Sequence, residues 1–103
     1  MTRTALCTLA LAAACGGGGA GPEVRRVEIH GFRYAPDTVA AAQGDTVVWT
    51  NRDLVAHTAN RAGGWNTGAI AAGAEGRIVA GAPGTYTYVC AYHPTMRATL
   101  RVR

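Results

Sequence analysis

Alternating polar and apolar positions dominate the chain from Val24 onwards. The segment VRRVEIHGFRY alternates roughly up to a glycine, and DTVVWTN (45–51) is rich in β-branched residues and follows the turn signal AQG. The segment EGRIVAGAPGTYTYVC contains two strand-like runs separated by GAPG, and threonines alternate with tyrosines in its second run. The final run, ATLRVR, alternates as well. Each of these runs is therefore predicted to be a β-strand.

Short strand-like runs with turn residues every eight to twelve positions predict an all-β sandwich or barrel. No segment after Val24 shows a sustained helical period, and the two glycines in AIAAGAEG argue against more than one helical turn there. The domain is small, so we expect its few bulky side chains to fill the core. These are Phe32, Trp49, Tyr86 and Tyr88. Asp45 and Asn51 are interpreted as turn-forming residues.

The first fifteen residues have the composition of an export signal. Arg3 is followed by an apolar run, from Ala5 to Ala14, that is too short to span a bilayer. Small residues directly before Cys15 resemble the lipobox of bacterial lipoproteins, whereas a plain signal peptide would make Cys15 incidental. We expect a signal peptide over 1–15, a glycine-rich linker over 16–23 and one domain over 24–103. The expected location is periplasmic or otherwise extracytoplasmic, with a lipid anchor at Cys15.

The charge pattern and the number of cysteines exclude some classes of function and favour others. The chain carries a net charge of +4 from scattered arginines, with Arg25-Arg26 as the adjacent pair, and this pattern argues against nucleic-acid binding. A mildly basic face could still steer an acidic partner protein. Cys90 is the single cysteine of the expected domain, so it has no disulfide partner there. A free thiol in an oxidising compartment favours occupation by a metal ion.

Cys90, His93 and Met96 lie at intervals of three in CAYHPTM, directly after a predicted strand. A tight loop of this length can turn a thiolate, an imidazole and a thioether toward one point, which suits a soft or borderline metal. One cysteine, one histidine and a weak methionine are three parts of a blue-copper site, which needs a second histidine. The residues alone leave His30 and His57 open for that position.

The segments VVWTNRDLVAHT and GTYTYVCAYHPTM resemble the cupredoxins, the small type I blue copper proteins, and among them the amicyanin and plastocyanin type. The resemblance covers residues 24–103. It implies a Greek-key β-sandwich or barrel of about seven to eight strands. It also implies one copper ion per domain, cycling between Cu(I) and Cu(II), with the ligands His57, Cys90, His93 and Met96. His30 is then expected to be an exposed histidine at a strand end.

The chain departs from the amicyanin pattern beside the expected ligands. Ala56 and Tyr92 replace prolines, and Thr58 stands where an asparagine often follows the first histidine. That asparagine braces the two ligand loops and donates toward the cysteine sulfur, and Thr58 is expected to donate instead through its backbone N–H and its hydroxyl. Pro94 has no N–H and cannot donate a hydrogen bond to the Cys90 sulfur. Such outer contacts tune a metal centre.

The resemblance implies a one-electron carrier between exported redox partners, with an exit patch at His93 formed by Tyr92, Pro94, Thr95 and Ala56. The partners would be a cytochrome, a dehydrogenase or a reductase, met in transient encounters by a monomer. The alternative is a periplasmic copper chaperone or storage protein, although such proteins tend to expose several methionines or histidines. An enzyme is not expected, because catalysis needs an open coordination position or a second metal centre. A metal-free adhesion module is the remaining alternative.

Overall fold

The computed structural model describes residues 21–103, so the expected signal peptide, Cys15 and most of the linker lie outside the described residues. The described part contains no helix and seven strands. They are β1 Val24–Ile29, β2 Tyr34–Ala35, β3 Thr38–Ala41, β4 Thr46–Asn51, β5 Glu75–Val79, β6 Gly84–Val89 and β7 Arg97–Val102. The prediction of an all-β fold of about seven to eight strands is confirmed. No helix long and apolar enough to cross a membrane occurs between residues 21 and 103.

Two mixed sheets build the domain. The first has the strand order β2-β1-β4-β5 and the second the order β3-β7-β6. Strand β1 pairs in parallel with β4, and the register places Val24 opposite Thr46 and Ile29 opposite Asn51. Because parallel strands end at the same edge, the segments after β1 and after β4 emerge side by side. That edge carries the candidate metal centre.

The core between the sheets follows the alternation seen in the sequence. Tyr88 on β6 is fully buried, whereas Thr85 and Thr87 on the same strand are exposed. The Trp49 indole nitrogen donates a hydrogen bond to the Tyr88 hydroxyl at 3.1 Å, so the two largest core side chains satisfy each other's polar groups. Burial raises the pKa of Tyr88 to about 12. Trp49 and Tyr88 are therefore confirmed as core residues, and Tyr86 is half-buried at the edge of the core cluster.

The expectation that Phe32 fills the core is wrong, because its side chain remains 47% exposed. Strand β1 ends at Ile29, and the chain reverses through Gly31 and Phe32, whose φ angles are 61° and 60°. Reciprocal backbone hydrogen bonds between His30 and Arg33 close this turn at 3.0 and 3.2 Å. Positive φ at both central positions is the pattern of a type I′ hairpin turn. The turn moves Phe32 off the strand and toward the candidate metal centre.

Asp45 does more than form a turn. Its side chain is buried and accepts hydrogen bonds from the Glu23 and Ala42 backbone N–H groups at 2.9 and 2.8 Å. The Arg25 Nε donates to the same carboxylate at 3.2 Å. These hydrogen bonds, led by those from Glu23 and Ala42, hold the pKa of Asp45 below its usual value. Asp45 thus joins the start of β1 to the start of β4.

Candidate metal centre

The loop that carries Cys90, His93 and Met96 is closed by its own backbone. The Cys90 N–H donates to the Met96 carbonyl at 3.2 Å, and the Met96 N–H donates to the His93 carbonyl at 2.8 Å. The His93 N–H donates to the Cys90 carbonyl at 3.2 Å. Cys90 directly follows β6, so one end of this tight loop is fixed by the sheet.

His57 is fixed by the segment that follows β4. Its backbone exchanges two hydrogen bonds with Ile70, at 3.2 and 2.7 Å. Asn51, at the end of β4, donates from its side-chain amide to the Val55 and Ile70 carbonyls at 2.8 and 2.9 Å. Its side-chain oxygen accepts the Asp53 N–H at 2.9 Å. The fully buried Asn51 therefore braces this loop from inside, a role beyond the turn formation expected from sequence.

Three of the expected ligands converge on one point. The Cys90 Sγ lies 3.7 Å from Nδ1 of His57 and 3.6 Å from Nδ1 of His93. All three ligand atoms lie within 4.8 Å of one another. Bonds of about 2.3 Å to sulfur and about 2.0–2.1 Å to nitrogen, as zinc makes, place S and N about 3.5–3.8 Å apart at trigonal or tetrahedral angles. The spacing of the donor atoms therefore fits a first-row metal ion.

Burial adds to this fit. Cys90 and His57 are fully buried, and His93 is half-buried. A thiolate with two imidazoles is the donor set that copper electron-transfer sites use. Met96 is buried at the end of the same loop. Its assignment as the axial ligand stays a prediction. His30 is exposed and does not belong to this cluster.

Thr58 connects the two ligand loops. Its backbone N–H donates to the Cys90 Sγ at 3.3 Å. Its hydroxyl accepts the Ala91 N–H at 2.8 Å and donates to the Asn60 side chain at 2.6 Å. The role of Thr58 as an outer partner of a metal ion stays a prediction. Pro94 is exposed in the loop and, having no N–H, adds no donor.

Two residues of this region were not predicted from sequence. The Asp53 carboxylate lies 2.8 Å from Nε2 of the buried His57. Burial raises the pKa of Asp53, but hydrogen bonds from Phe32, Gly31 and His57 outweigh it and leave the pKa below its usual value. The Phe32 ring packs nearly perpendicular to the rings of His57 and His93, with centroids 5.0 and 4.8 Å away. The acid four positions before His57 was the available signal for Asp53, because histidine ligands usually bond a carboxylate or carbonyl through their second nitrogen.

Large apolar side chains are exposed on the segments that carry His57 and His93. Leu54 is 95% exposed, Tyr92 54% and Val55 45%. Of these residues only Tyr92 was expected at this surface. Pro94 and Thr95, which were also expected, are exposed, and Ala56 is half-buried.

Several solved structures resemble this chain in fold. An oxidised amicyanin variant superposes with a TM-score of 0.71 at 25% identity, covering 76% of this chain and 80% of that one. A reduced Cu(I) form of another amicyanin variant gives 0.71 at 27% identity and covers 90% of both chains. The purple cupredoxin of Nitrosopumilus maritimus gives 0.67 at 26% identity, covering 76% of this chain and 98% of that one. No protein-family model and no curated protein matches the chain.

These likenesses cover 76–90% of the chain. They confirm the resemblance inferred from the sequence. The chain therefore has the cupredoxin fold and resembles amicyanin in structure.

Proposed function

We propose that this chain is a type I (blue) copper protein that carries single electrons between exported redox partners. The observation that carries the proposal is the convergence of the Cys90 sulfur and the Nδ1 atoms of His57 and His93 inside a cupredoxin fold. Copper held there would supply a one-electron Cu(I)/Cu(II) couple.

The proposed ligands have separate roles. Cys90 supplies the thiolate at the end of β6, His57 and His93 supply imidazole nitrogens, and Met96 supplies a weak axial thioether. The backbone holds His57 to Ile70 and Cys90 to Met96. Thr58 ties both loops together through the Cys90 sulfur and the Ala91 N–H. A frame held in this way resists a change of ligand geometry, which favours rapid electron transfer with little reorganisation.

Electron exchange is proposed to occur at the apolar surface beside His93. Tyr92, Pro94 and Thr95 are exposed on the ligand loop, and Leu54 and Val55 add exposed apolar area from the other loop. Small apolar interfaces suit short-lived redox encounters, because they bind weakly and release quickly. The partner class proposed is a cytochrome, a dehydrogenase or a reductase, met by a monomer of this chain.

A copper chaperone or store is the rival proposal. Ready metal exchange needs exposed ligands, whereas Cys90 and His57 are fully buried and Met96 is 4% exposed. Burial of the ligand atoms therefore supports a protein that retains its copper ion over one that transfers it to another protein. We also propose no enzymatic activity, which is what the resemblance to the cupredoxins implies.

Export and anchoring are proposed from the N-terminal sequence alone. Arg3, the apolar run and Cys15 support a lipoprotein signal over 1–15, with 16–23 as a flexible tether. Labelling bacterial cells that express the chain with a radioactive fatty acid tests this, with Cys15→Ala as the control. Label in the parent and none in the variant would support the anchor, and an unlabelled, shortened parent would indicate a plain signal peptide.

The copper proposal is tested by adding Cu(II) to the purified protein and recording visible absorption and electron paramagnetic resonance. An intense visible band with a narrow copper hyperfine splitting, both absent in Cys90→Ser, is the expected result. Reversible bleaching by one electron per copper would then support the carrier role. A colourless protein that binds Cu(I) would favour copper handling, and a protein that binds neither ion would overturn both proposals.

A further inference from the structure

Asp53 contacts the proposed ligand His57 without being a proposed ligand itself. Its carboxylate accepts the Gly31 N–H at 2.7 Å through Oδ1 and the Phe32 N–H at 2.9 Å through Oδ2. Nε2 of His57 lies 2.8 Å from Oδ2. The Asp53 side chain is only 10% exposed and that of His57 is fully buried. A carboxylate with three hydrogen bonds at this depth is held in a single orientation.

The contact with His57 decides where the imidazole proton lies. An ionised carboxylate only accepts hydrogen bonds, so Nε2 must carry the proton that it shares with Asp53. In a neutral imidazole the other nitrogen then presents its lone pair. That nitrogen is Nδ1, which lies 3.7 Å from the Cys90 sulfur. Asp53 thus favours the one tautomer of His57 that can bind a metal beside Cys90.

The contacts with Gly31 and Phe32 extend this arrangement to a second element. Both residues have left-handed backbone conformations, with φ of 61° and 60°. Such a conformation is costly for a phenylalanine and needs support from its surroundings. The two N–H groups that it exposes both point at Asp53. Asp53 therefore holds the turn in the form that places the Phe32 ring.

The position of that ring gives the turn a role at the metal centre. It packs against His57 at an interplanar angle of 87° and against His93 at 81°. Phe32 is 47% exposed, so part of the residue faces solvent while its ring packs nearly perpendicular to both imidazoles. A ring in that position limits the access of water and of competing ligands to both histidines.

We propose that Asp53 is a positioning residue that sets the tautomer of His57 and holds the Phe32 ring over both histidine ligands. The effect on copper rests on the proposed function, whereas the tautomer and the ring position are properties of the metal-free protein. Asp53 therefore joins two elements, the loop after β4 and the turn after β1, that the ligands alone do not connect.

The test compares the wild type with Asp53→Asn, Asp53→Glu and the matched charge control Asp37→Asn, whose parent residue is exposed. In the metal-free proteins, nitrogen-15 NMR identifies the protonated nitrogen of His57, and proton NMR contacts locate the Phe32 ring. With copper, the rate of metal loss to an excess of chelator is measured.

We expect the Nε2–H tautomer in the wild type, Asp37→Asn and Asp53→Glu. An asparagine amide can donate to Nε2, so Asp53→Asn is expected to populate the Nδ1–H tautomer and to weaken the contacts of the Phe32 ring. Copper affinity is expected to fall by about 10–100-fold in Asp53→Asn, in line with other outer partners of metal ligands, with correspondingly faster metal loss.

A wild-type protein with the Nδ1–H tautomer would overturn the proposal, whatever the variants do. So would an Asp53→Asn protein with unchanged tautomer, ring contacts and rate of copper loss. If Asp53→Asn fails to fold, the wild type and Asp53→Glu still decide the matter by their tautomer and by the Phe32 contacts. If the wild type binds no copper, the proposed function fails, but the metal-free measurements still support or overturn the role of Asp53.

Discussion

Two aspartates stand at opposite ends of strand β4 and join it to its parallel neighbour β1 in the same manner. Asp45 precedes β4 and accepts backbone N–H groups of Glu23 and Ala42. Asp53 follows β4 and accepts those of Gly31 and Phe32. Each carboxylate then takes one side-chain nitrogen as its third partner. The pairing of β1 with β4 brings Glu23 to Asp45 at one end and the turn of Gly31 and Phe32 to Asp53 at the other, whereas Ala42 lies three residues before Asp45.

The two aspartates differ in their third hydrogen-bond partner. At Asp45 it is Arg25, a permanent cation whose side chain is 31% exposed and which leads to no further site. At Asp53 it is His57, which is buried and presents its second nitrogen to Cys90. One hydrogen-bonding arrangement thus secures the chain at one end of the domain and orients a metal ligand at the other. Changes at the two ends should therefore separate stability from metal binding.

Copper binding should produce the largest change in the free energy of unfolding. A ligand that binds only the folded protein adds about 4 kcal/mol when its free concentration is about 1,000 times Kd. Chemical unfolding with and without saturating copper measures this gain. It should vanish in Cys90→Ser and persist in Asp45→Asn. A gain that vanishes in Asp45→Asn would mean that the two ends are not separable.

A substitution in the core between the two aspartates should have the next largest effect on the free energy of unfolding. Trp49→Phe removes the hydrogen bond to the Tyr88 hydroxyl, and an unsatisfied buried polar group costs about 1–3 kcal/mol. Trp65→Phe is the matched control, because the indole nitrogen of Trp65 has no hydrogen-bond partner among residues 21–103. Denaturant unfolding should show the loss for Trp49→Phe and a smaller change for Trp65→Phe. Copper absorption should be the same in both variants. A shifted band in Trp49→Phe would show that the core transmits strain to the metal end.

The fold and the centre differ in how far sequence reveals them. The threonine–tyrosine alternation of β6 is local, so the burial of Tyr88 was predictable from the pattern alone. The spacing of Cys90 and His93 is local as well, whereas His57 was singled out by the resemblance. The mistake over Phe32 arose because aromatic residues near a strand suggest a core, while the turn after Ile29 depends on backbone conformation.

The contacts of Asp53 could not be predicted from the sequence for a different reason. Its partners Gly31 and Phe32 lie more than twenty residues earlier, and they come within reach only because β1 pairs in parallel with β4. A pairing of that kind depends on the packing of the whole sheet. The same holds for Asp45, which looked like a turn residue because its partner Glu23 is equally distant in sequence.

Asp45 should make stability depend on pH more than its exposed counterparts do. Its folded pKa lies below the usual value, so its contribution is present above the unfolded pKa of about 3.9 and is lost as pH falls through the folded value. The midpoint of urea unfolding should therefore be lower for Asp45→Asn than for the wild type at pH 7. The two midpoints should converge as the pH drops below about 3.9. Asp37→Asn, which changes an exposed acid, should track the wild type. A gap between Asp45→Asn and the wild type that persists at the lowest pH would mean that the carboxylate charge is not what stabilises this end.

The smallest effect on stability, with a distinct effect on metal retention, is expected for Phe32→Gly. Glycine adopts positive φ without the cost that a side chain incurs there, so removing the ring should leave the unfolding midpoint of the metal-free protein close to that of the wild type. Copper should nevertheless leave faster to a chelator, because the ring that contacts both histidines is gone. Tyr92→Ala is the control, since that ring lies 6.5 Å from His93. If Phe32→Gly releases copper no faster than Tyr92→Ala, the ring does not protect the centre. The hydrogen bond from Asp53 to His57 would then account alone for the difference between the two ends of β4.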